Sequence, residues 1–225
     1  SIKEGVRRWN EYVYSFGFGR RLGTDLYGEG PGEVPTPETY DRKYNNSWNW
    51  GSVISCAIGQ GEMGCTPLQM ANLAAIVANR GYYYIPHLIK HIEGRDSIDR
   101  RFYERHYTLV DSINFVPIVE GMWRGVNVAG TSGKARLPGL DVCGKTGTAQ
   151  NPNGADHSTF LSFAPKNNPK IAISVYIEHG GFGAEIALPI ASLIEELYLT
   201  DTITRPDMVQ KVLNFTPKYS RNYDA

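Results

Sequence analysis

The chain is poor in the features that most often announce a function. It carries 23 Lys and Arg against 23 Asp and Glu, so no basic surplus argues for nucleic acid, and none is expected as a partner. No apolar run approaches the roughly 20 residues of a membrane-spanning helix; the longest clean stretches, such as residues 171–177, are far shorter. No signal-peptide pattern opens at Ser1. Cysteine is scarce: Cys56, Cys65 and Cys143 match neither a zinc spacing nor a redox pair. They are expected as small buried filler, with a Cys56–Cys65 disulfide left open. The five histidines are scattered without the spacing of a Ser/His/Asp triad. His157 and His179 flank predicted strands, where surface or hydrogen-bonding roles are expected. Repeats and low-complexity segments are absent. No metal or cofactor is expected. What remains is an ordinary globular composition, 41% hydrophobic and 20% charged, long enough for one large domain or two small ones.

Against that background one stretch stands out, residues 141–150, D-V-C-G-K-T-G-T-A-Q. Lys145, Thr146, Gly147 and Thr148 put a fixed cation and two hydroxyls on a backbone that a ligand can approach closely at glycine. Residues 139–146 also fit the phosphate-loop pattern G-x-x-x-x-G-K-[ST]. That loop needs a buried strand before its first glycine and a helix opening at the lysine. Here residues 133–138 hold no apolar run and residues 147–154 are turn material, so the nucleotide reading is set aside.

The rest of the chain frames this stretch. Ile2, Val6, Trp9, Val13 and Phe16 recur at helical spacing, which predicts a helix over 2–15 stopped by Gly17 and Gly19. Residues 16–26 read as a compact turn-and-strand passage, and 27–50 as a long irregular segment rich in Gly and Pro. Trp48 and Trp50 within it are expected to pack the loop onto the body. Thr66-Pro67-Leu68-Gln69 is a capping box, with Ala71, Ala74, Ala75 and Ala78 forming a small-residue helix face. Residues 82–91 read as strand and 94–104 as an exposed connection, followed by a helix over 112–126 that tolerates Pro117 near its start. Residues 142–150, 157–165 and 170–178 predict three consecutive antiparallel strands joined by hairpin-length turns, with Lys145 on the first. A Gly180-Gly181-Phe182-Gly183 turn leads into a helix through Leu197, and residues 201–225 read as a polar peripheral tail. The fold class is therefore α+β, an antiparallel β-sheet packed with α-helices.

Several motifs in fixed order now carry a resemblance: Ile58-Gly-Gln-Gly61, Thr66-Pro-Leu-Gln-Met70, Ala78-Asn-Arg-Gly81, Pro86-His-Leu88, Gly144-Lys-Thr-Gly-Thr-Ala-Gln150 and Phe163-Ala-Pro165, ending in the Gly-Gly-x-Gly turn. Over residues 10–200 the chain resembles the transpeptidase domain of the class B penicillin-binding proteins, the elongation type above all. The resemblance implies a partial penicillin-binding transpeptidase (serine β-lactamase-like) fold, with residues 1–200 the C-terminal portion of that domain. It implies acyl transfer in bacterial wall synthesis: a serine attacks the D-Ala-D-Ala bond of a peptidoglycan stem peptide, and an amine of a neighbouring stem takes the acyl group. β-Lactam antibiotics acylate the same serine. Carried over, Lys145 supplies positive potential, the Thr146 and Thr148 hydroxyls hold the substrate carboxylate beside Gly147, and the Thr148 backbone N–H is an oxyanion donor. In the full-length protein the resemblance implies the periplasmic face of the bacterial inner membrane and a membrane-embedded glycosyltransferase as partner.

One departure matters. The family's nucleophile lies in Ser-x-x-Lys, and no serine here has a lysine three residues later. Ser-x-Asn occurs at Ser47, Ser112 and Ser220, never before the first helix where family order would put it. The nucleophile and its lysine are accordingly expected upstream of Ser1, and the 225-residue chain alone is expected to be inactive. The alternatives are a serine β-lactamase, which shares Lys-Thr-Gly but is expected as a smaller complete domain, and a non-catalytic penicillin-binding-like sensor.

Overall fold

In a computed structural model, residues 1–217 are described, and they divide into two compact units. The first holds Ser1–Asn72 and Gly81–Asp111; the second holds Leu73–Arg80 and the residues from Ser112 on. No helix among the described residues is long and apolar enough to cross a membrane.

The first unit opens with helix α1 (Ile2–Ser15), which Ser1 caps through a 3.3 Å bond from the Glu4 N–H. Residues 16–26 form turns and no strand. The reason lies in the destination of the backbone donors: the Leu22, Gly23 and Thr24 N–H groups all bond the Glu29 carboxylate, which leaves no ladder for a partner strand. The segment 27–50 contains a short helix that the sequence reading omits, α2 (Pro37–Lys43), with a Thr36/Thr39 capping box and proline in its first turn. Trp48 does pack there, tilted on Tyr40 at 5.1 Å and bonded to Asp41 at 2.8 Å. Trp50 opens helix α3 (Trp50–Val53), lies over Gly5, and is 62% exposed. Helix α4 (Pro67–Ala78) starts as its capping box dictates, with Gln69 N–H to Thr66 Oγ1 at 3.2 Å and Thr66 N–H to Gln69 Oε1 at 3.0 Å.

The expected strand over 82–91 shrinks to β1 (Tyr82–Tyr83), paired with β2 (His106–Tyr107). Pro86 has no N–H to give, and the Leu88 and Ile89 N–H groups go to the Asp25 carboxylate at 2.9–3.0 Å. The connection 94–104 is not wholly exposed, because Ile98 and Phe102 are buried with Ile85. Cys56 and Cys65 are unbonded, and Cys65 is exposed where buried filler is expected, while Cys56 and Cys143 are buried.

The second unit carries the site. Helix α5 (Phe115–Asn127) follows a single 3₁₀ turn and holds Pro117 in its first turn, where no intrahelical donor is lost. Strands β3 (Cys143–Ala149), β4 (His157–Ala164) and β5 (Ile171–Ile177) form the expected antiparallel meander in the order β3-β4-β5. Helix α6 (Ala187–Thr200) packs on the face that presents Phe160 and Ala164, closing a core with Val126, Val142, Leu188 and Ala191. The segment after 200 is more than a polar tail. Arg205 bonds Glu196 and both the hydroxyl and carbonyl of Ser192 on α6, each at 2.9 Å, and Pro206 then starts helix α7 (Pro206–Leu213). Ser220 and its Ser-x-Asn match lie outside the described residues.

Candidate functional site

Lys145, Thr146, Gly147 and Thr148 sit in mid-strand on β3, so no helix opens at the lysine and the phosphate-loop alternative fails on geometry. They pair in order with Leu161, Phe160, Thr159 and Ser158 of β4. Strand β3 is an edge: among the described residues only β4 pairs with it.

Period-2 alternation sorts the four residues onto two faces. Thr146 and Thr148 share the face of Phe160 and Ser158, toward α6, while Lys145 and Gly147 take the opposite one. The backbone sorts the same way. The Val142 carbonyl accepts from Asn127 Nδ2 of α5 at 2.8 Å, and the Thr146 carbonyl accepts from Lys145 Nζ at 2.5 Å. Both bonds come from outside the ladder, so residues of this parity direct their N–H and C=O to the outer edge. Thr148 has the same parity, and its N–H is therefore an edge donor.

The side chains around the strand are held by partners far away in sequence. Thr146 Oγ1 meets Thr131 Oγ1 at 2.8 Å, and Thr148 Oγ1 accepts from the Gly183 N–H at 3.3 Å. A Cβ at Gly147 would come 2.6 Å from Thr159 Cγ2, so any side chain there would have to displace Thr159. Lys145 itself is exposed, with its ammonium folded back along the strand. Sequence reasoning brought Lys145, Thr146, Gly147 and Thr148 together, and the structure keeps them together. It missed Thr131, which lies 15 residues from its partner in a segment that reads only as loop. Gly183 was legible as part of a turn, with nothing to tie it to Thr148.

Other reactive groups fall away. Cys143 is fully buried on β3, and burial pushes its thiol up to about 12, so it stays protonated and unreactive. His157 and His179 do take hydrogen-bonding roles: His157 Nδ1 accepts from the His179 N–H at 3.0 Å, and Asn151 Nδ2 lies 3.2 Å from His179 Nδ1. A cavity of about 420 Å³ in the first unit, lined by Trp9, Tyr40, Trp50 and Ile54, is apolar and contains no acid–base pair. Chemically, β3 offers an open strand edge, one cation, two hydroxyls and an edge N–H within four residues. That set suits an extended peptide ending in a carboxylate, laid along the edge as an added strand.

Comparison with known proteins gives the family. Residues 2–195 match the family model described as "Penicillin binding protein transpeptidase domain". The peptidoglycan D,D-transpeptidase MrdA of Acinetobacter baumannii is 34% identical over 210 residues, covering 83% of this chain and 30% of that protein. The crystal structure of Pseudomonas aeruginosa PBP2 in complex with WCK 5153 superposes with a TM-score of 0.75 at 33% identity, covering 87% of this chain and 44% of that one. Penicillin-binding protein A from M. tuberculosis, solved as an imipenem acyl-enzyme complex, superposes with a TM-score of 0.69 at 26% identity, covering 88% and 43%. The chain spans about a third of the length of the curated relatives it matches. On the matched span and the edge-strand site together, the chain belongs to the penicillin-binding protein transpeptidase domain family.

Proposed function

We propose that this chain supplies the carboxylate- and oxyanion-binding wall of a peptidoglycan D,D-transpeptidase, and that the nucleophilic serine with its lysine partner lies outside these 225 residues. The observation that carries the reading is the open edge of β3 with Lys145, Thr146, Gly147 and Thr148 on it. A D-Ala-D-Ala stem peptide lies along that edge, with its terminal carboxylate beside the Thr146 and Thr148 hydroxyls and the Lys145 charge. Gly147 lets the peptide backbone come close.

In the first half-reaction the serine Oγ attacks the penultimate D-Ala carbonyl. The carbonyl oxygen becomes an oxyanion, which the Thr148 N–H is placed to receive, and the C–N bond breaks to release D-Ala with a proton on its amine. In the second half-reaction an amine of a neighbouring stem attacks the ester and returns the serine. A β-lactam enters the first half-reaction in place of the stem peptide, since it offers a carboxylate and a strained amide in the same relation. We infer, from the family resemblance, that the full-length protein works at the periplasmic face of the bacterial inner membrane beside a membrane-embedded glycosyltransferase.

The test is the acylation rate of the full-length protein with a penicillin. Lys145→Ala is expected to slow it on the order of 100-fold, the effect of losing one group aimed at developing negative charge. The melting temperature should not change, because the Lys145 side chain is exposed. Unaltered acylation in the folded variant would remove Lys145 from the site.

A further inference from the structure

Helix α6 begins without a side-chain cap of its own, because Ile186 occupies the N-cap position and has no acceptor to offer. The first amides of a helix still need partners. One comes from across the sheet: Ser158 Oγ, on β4, accepts from the Ala187 N–H at 3.2 Å. The same hydroxyl donates to the Phe182 carbonyl at 2.9 Å. Ser158 is completely buried, so a single hydroxyl ties down both ends of the turn from 182 to 187.

Within that turn, Glu185 N–H bonds the Phe182 carbonyl at 2.8 Å and Leu188 N–H bonds the Gly183 carbonyl at 3.1 Å. Gly183 lies flat against the sheet. A Cβ there would fall 2.4 Å from the Gly147 carbonyl oxygen and 2.5 Å from that of Thr159, so no other residue fits without moving backbone. Pressed into this position, Gly183 aims its N–H at Thr148 Oγ1. Ser158 and Thr148 are direct cross-strand partners in the β3–β4 ladder. The two hydroxyls of one pair thus hold one turn between them. A threonine hydroxyl has one proton and two acceptor positions. With the Gly183 N–H on one acceptor position, the Thr148 proton is directed away from that N–H.

We propose that Ser158 is a positioning residue for Thr148: it clamps the 182–187 turn so that the Gly183 N–H orients the Thr148 hydroxyl toward the carboxylate of a bound stem peptide or β-lactam. This deepens the proposed function and rests on its assignment of Thr148 to carboxylate binding. Ser158 touches no substrate. Its effect passes through Gly183, and removing it should weaken recognition of the anion while leaving the bond-making step alone.

The test uses the full-length protein with a penicillin, followed by stopped flow so that the non-covalent dissociation constant and the acylation rate constant separate. Wild type, Ser158→Ala, Thr148→Val and the double variant form a cycle. Thr148→Val should weaken non-covalent binding by about tenfold or more, the value of one hydrogen bond to a charged group. Ser158→Ala should weaken it by several-fold with little change in the acylation rate constant, and should have no further effect in the Thr148→Val background. Ser158→Cys keeps the side-chain shape at a slightly larger volume with weaker hydrogen bonding, and gives the same reading if the alanine variant is unstable. Normal binding by Ser158→Ala beside a weakened Thr148→Val would overturn the positioning role and leave the site assignment standing. An equal loss from Ser158→Ala in both backgrounds would overturn it as well, by showing a merely structural role. Normal binding by Thr148→Val would overturn the site assignment, and the positioning role with it.

Discussion

Among single residues, Glu195 is the one most at odds with its surroundings. It is wholly buried on α6, and neither carboxylate oxygen has a partner at hydrogen-bonding distance; the Ser162 hydroxyl is likewise unpartnered. Burial pushes its carboxyl up from 4.5 to about 7, against the opposing pull of the Arg205 charge. The native state therefore holds this proton more tightly than the unfolded chain does. Its contribution is fully present below about pH 4.5 and is lost as pH rises through about 7. A displacement of that size corresponds to at most about 3 kcal/mol. Glu195→Gln keeps the shape without the charge, so it should raise the urea midpoint at pH 8 and leave it nearly unchanged at pH 4.5. Equal midpoints for the two proteins at pH 8 would show that Glu195 is not held out of water as the structure has it.

At the scale of elements, capping side chains set where α1, α2, α3 and α4 begin. Thr66 and Gln69 satisfy each other's amides at the start of α4, and Gln69 Nε2 also bonds the carbonyls of Gly17, Arg20 and Pro31. Thr66→Ala removes one of these acceptors and should cost about 1 kcal/mol. The loss is read as an earlier denaturation of tryptophan fluorescence, since Trp9, Trp48 and Trp50 all lie in the first unit; an unmoved transition would mean the box is idle. The same logic explains what could be read in advance. The helices α1, α4, α5 and α6 and the meander β3–β5 announce themselves by apolar periodicity and alternation, with a capping box added at α4, because their hydrogen bonds are local or go to a neighbour joined by a short turn. The passages 16–26 and 82–91 mislead because their backbone donors are spent on Glu29 and Asp25. For Asp25 the partner lies more than 60 residues away. In the site, Lys145, Thr146, Gly147 and Thr148 are contiguous and so legible. Thr131 and Gly183 reach them from 15 and 35 residues away, which no local pattern encodes.

At the scale of the whole molecule, the chain covers about a third of its curated relatives, and its 225 residues contain no Ser-x-x-Lys. Hydroxyls are not scarce, but a serine without a base in hydrogen-bond reach stays protonated and reacts slowly. The central claim is that these residues form one wall of an acylation site whose nucleophile stands on another segment. The most direct measurement is intact-mass spectrometry with peptide mapping after incubation with a reactive penicillin, applied to this chain and to the full-length protein. The account predicts a stoichiometric penicilloyl adduct on the full-length protein, mapped to a serine outside these 225 residues, and none on the chain alone. A stoichiometric adduct on a serine within the chain, or a folded full-length protein that takes up no penicillin, would contradict it.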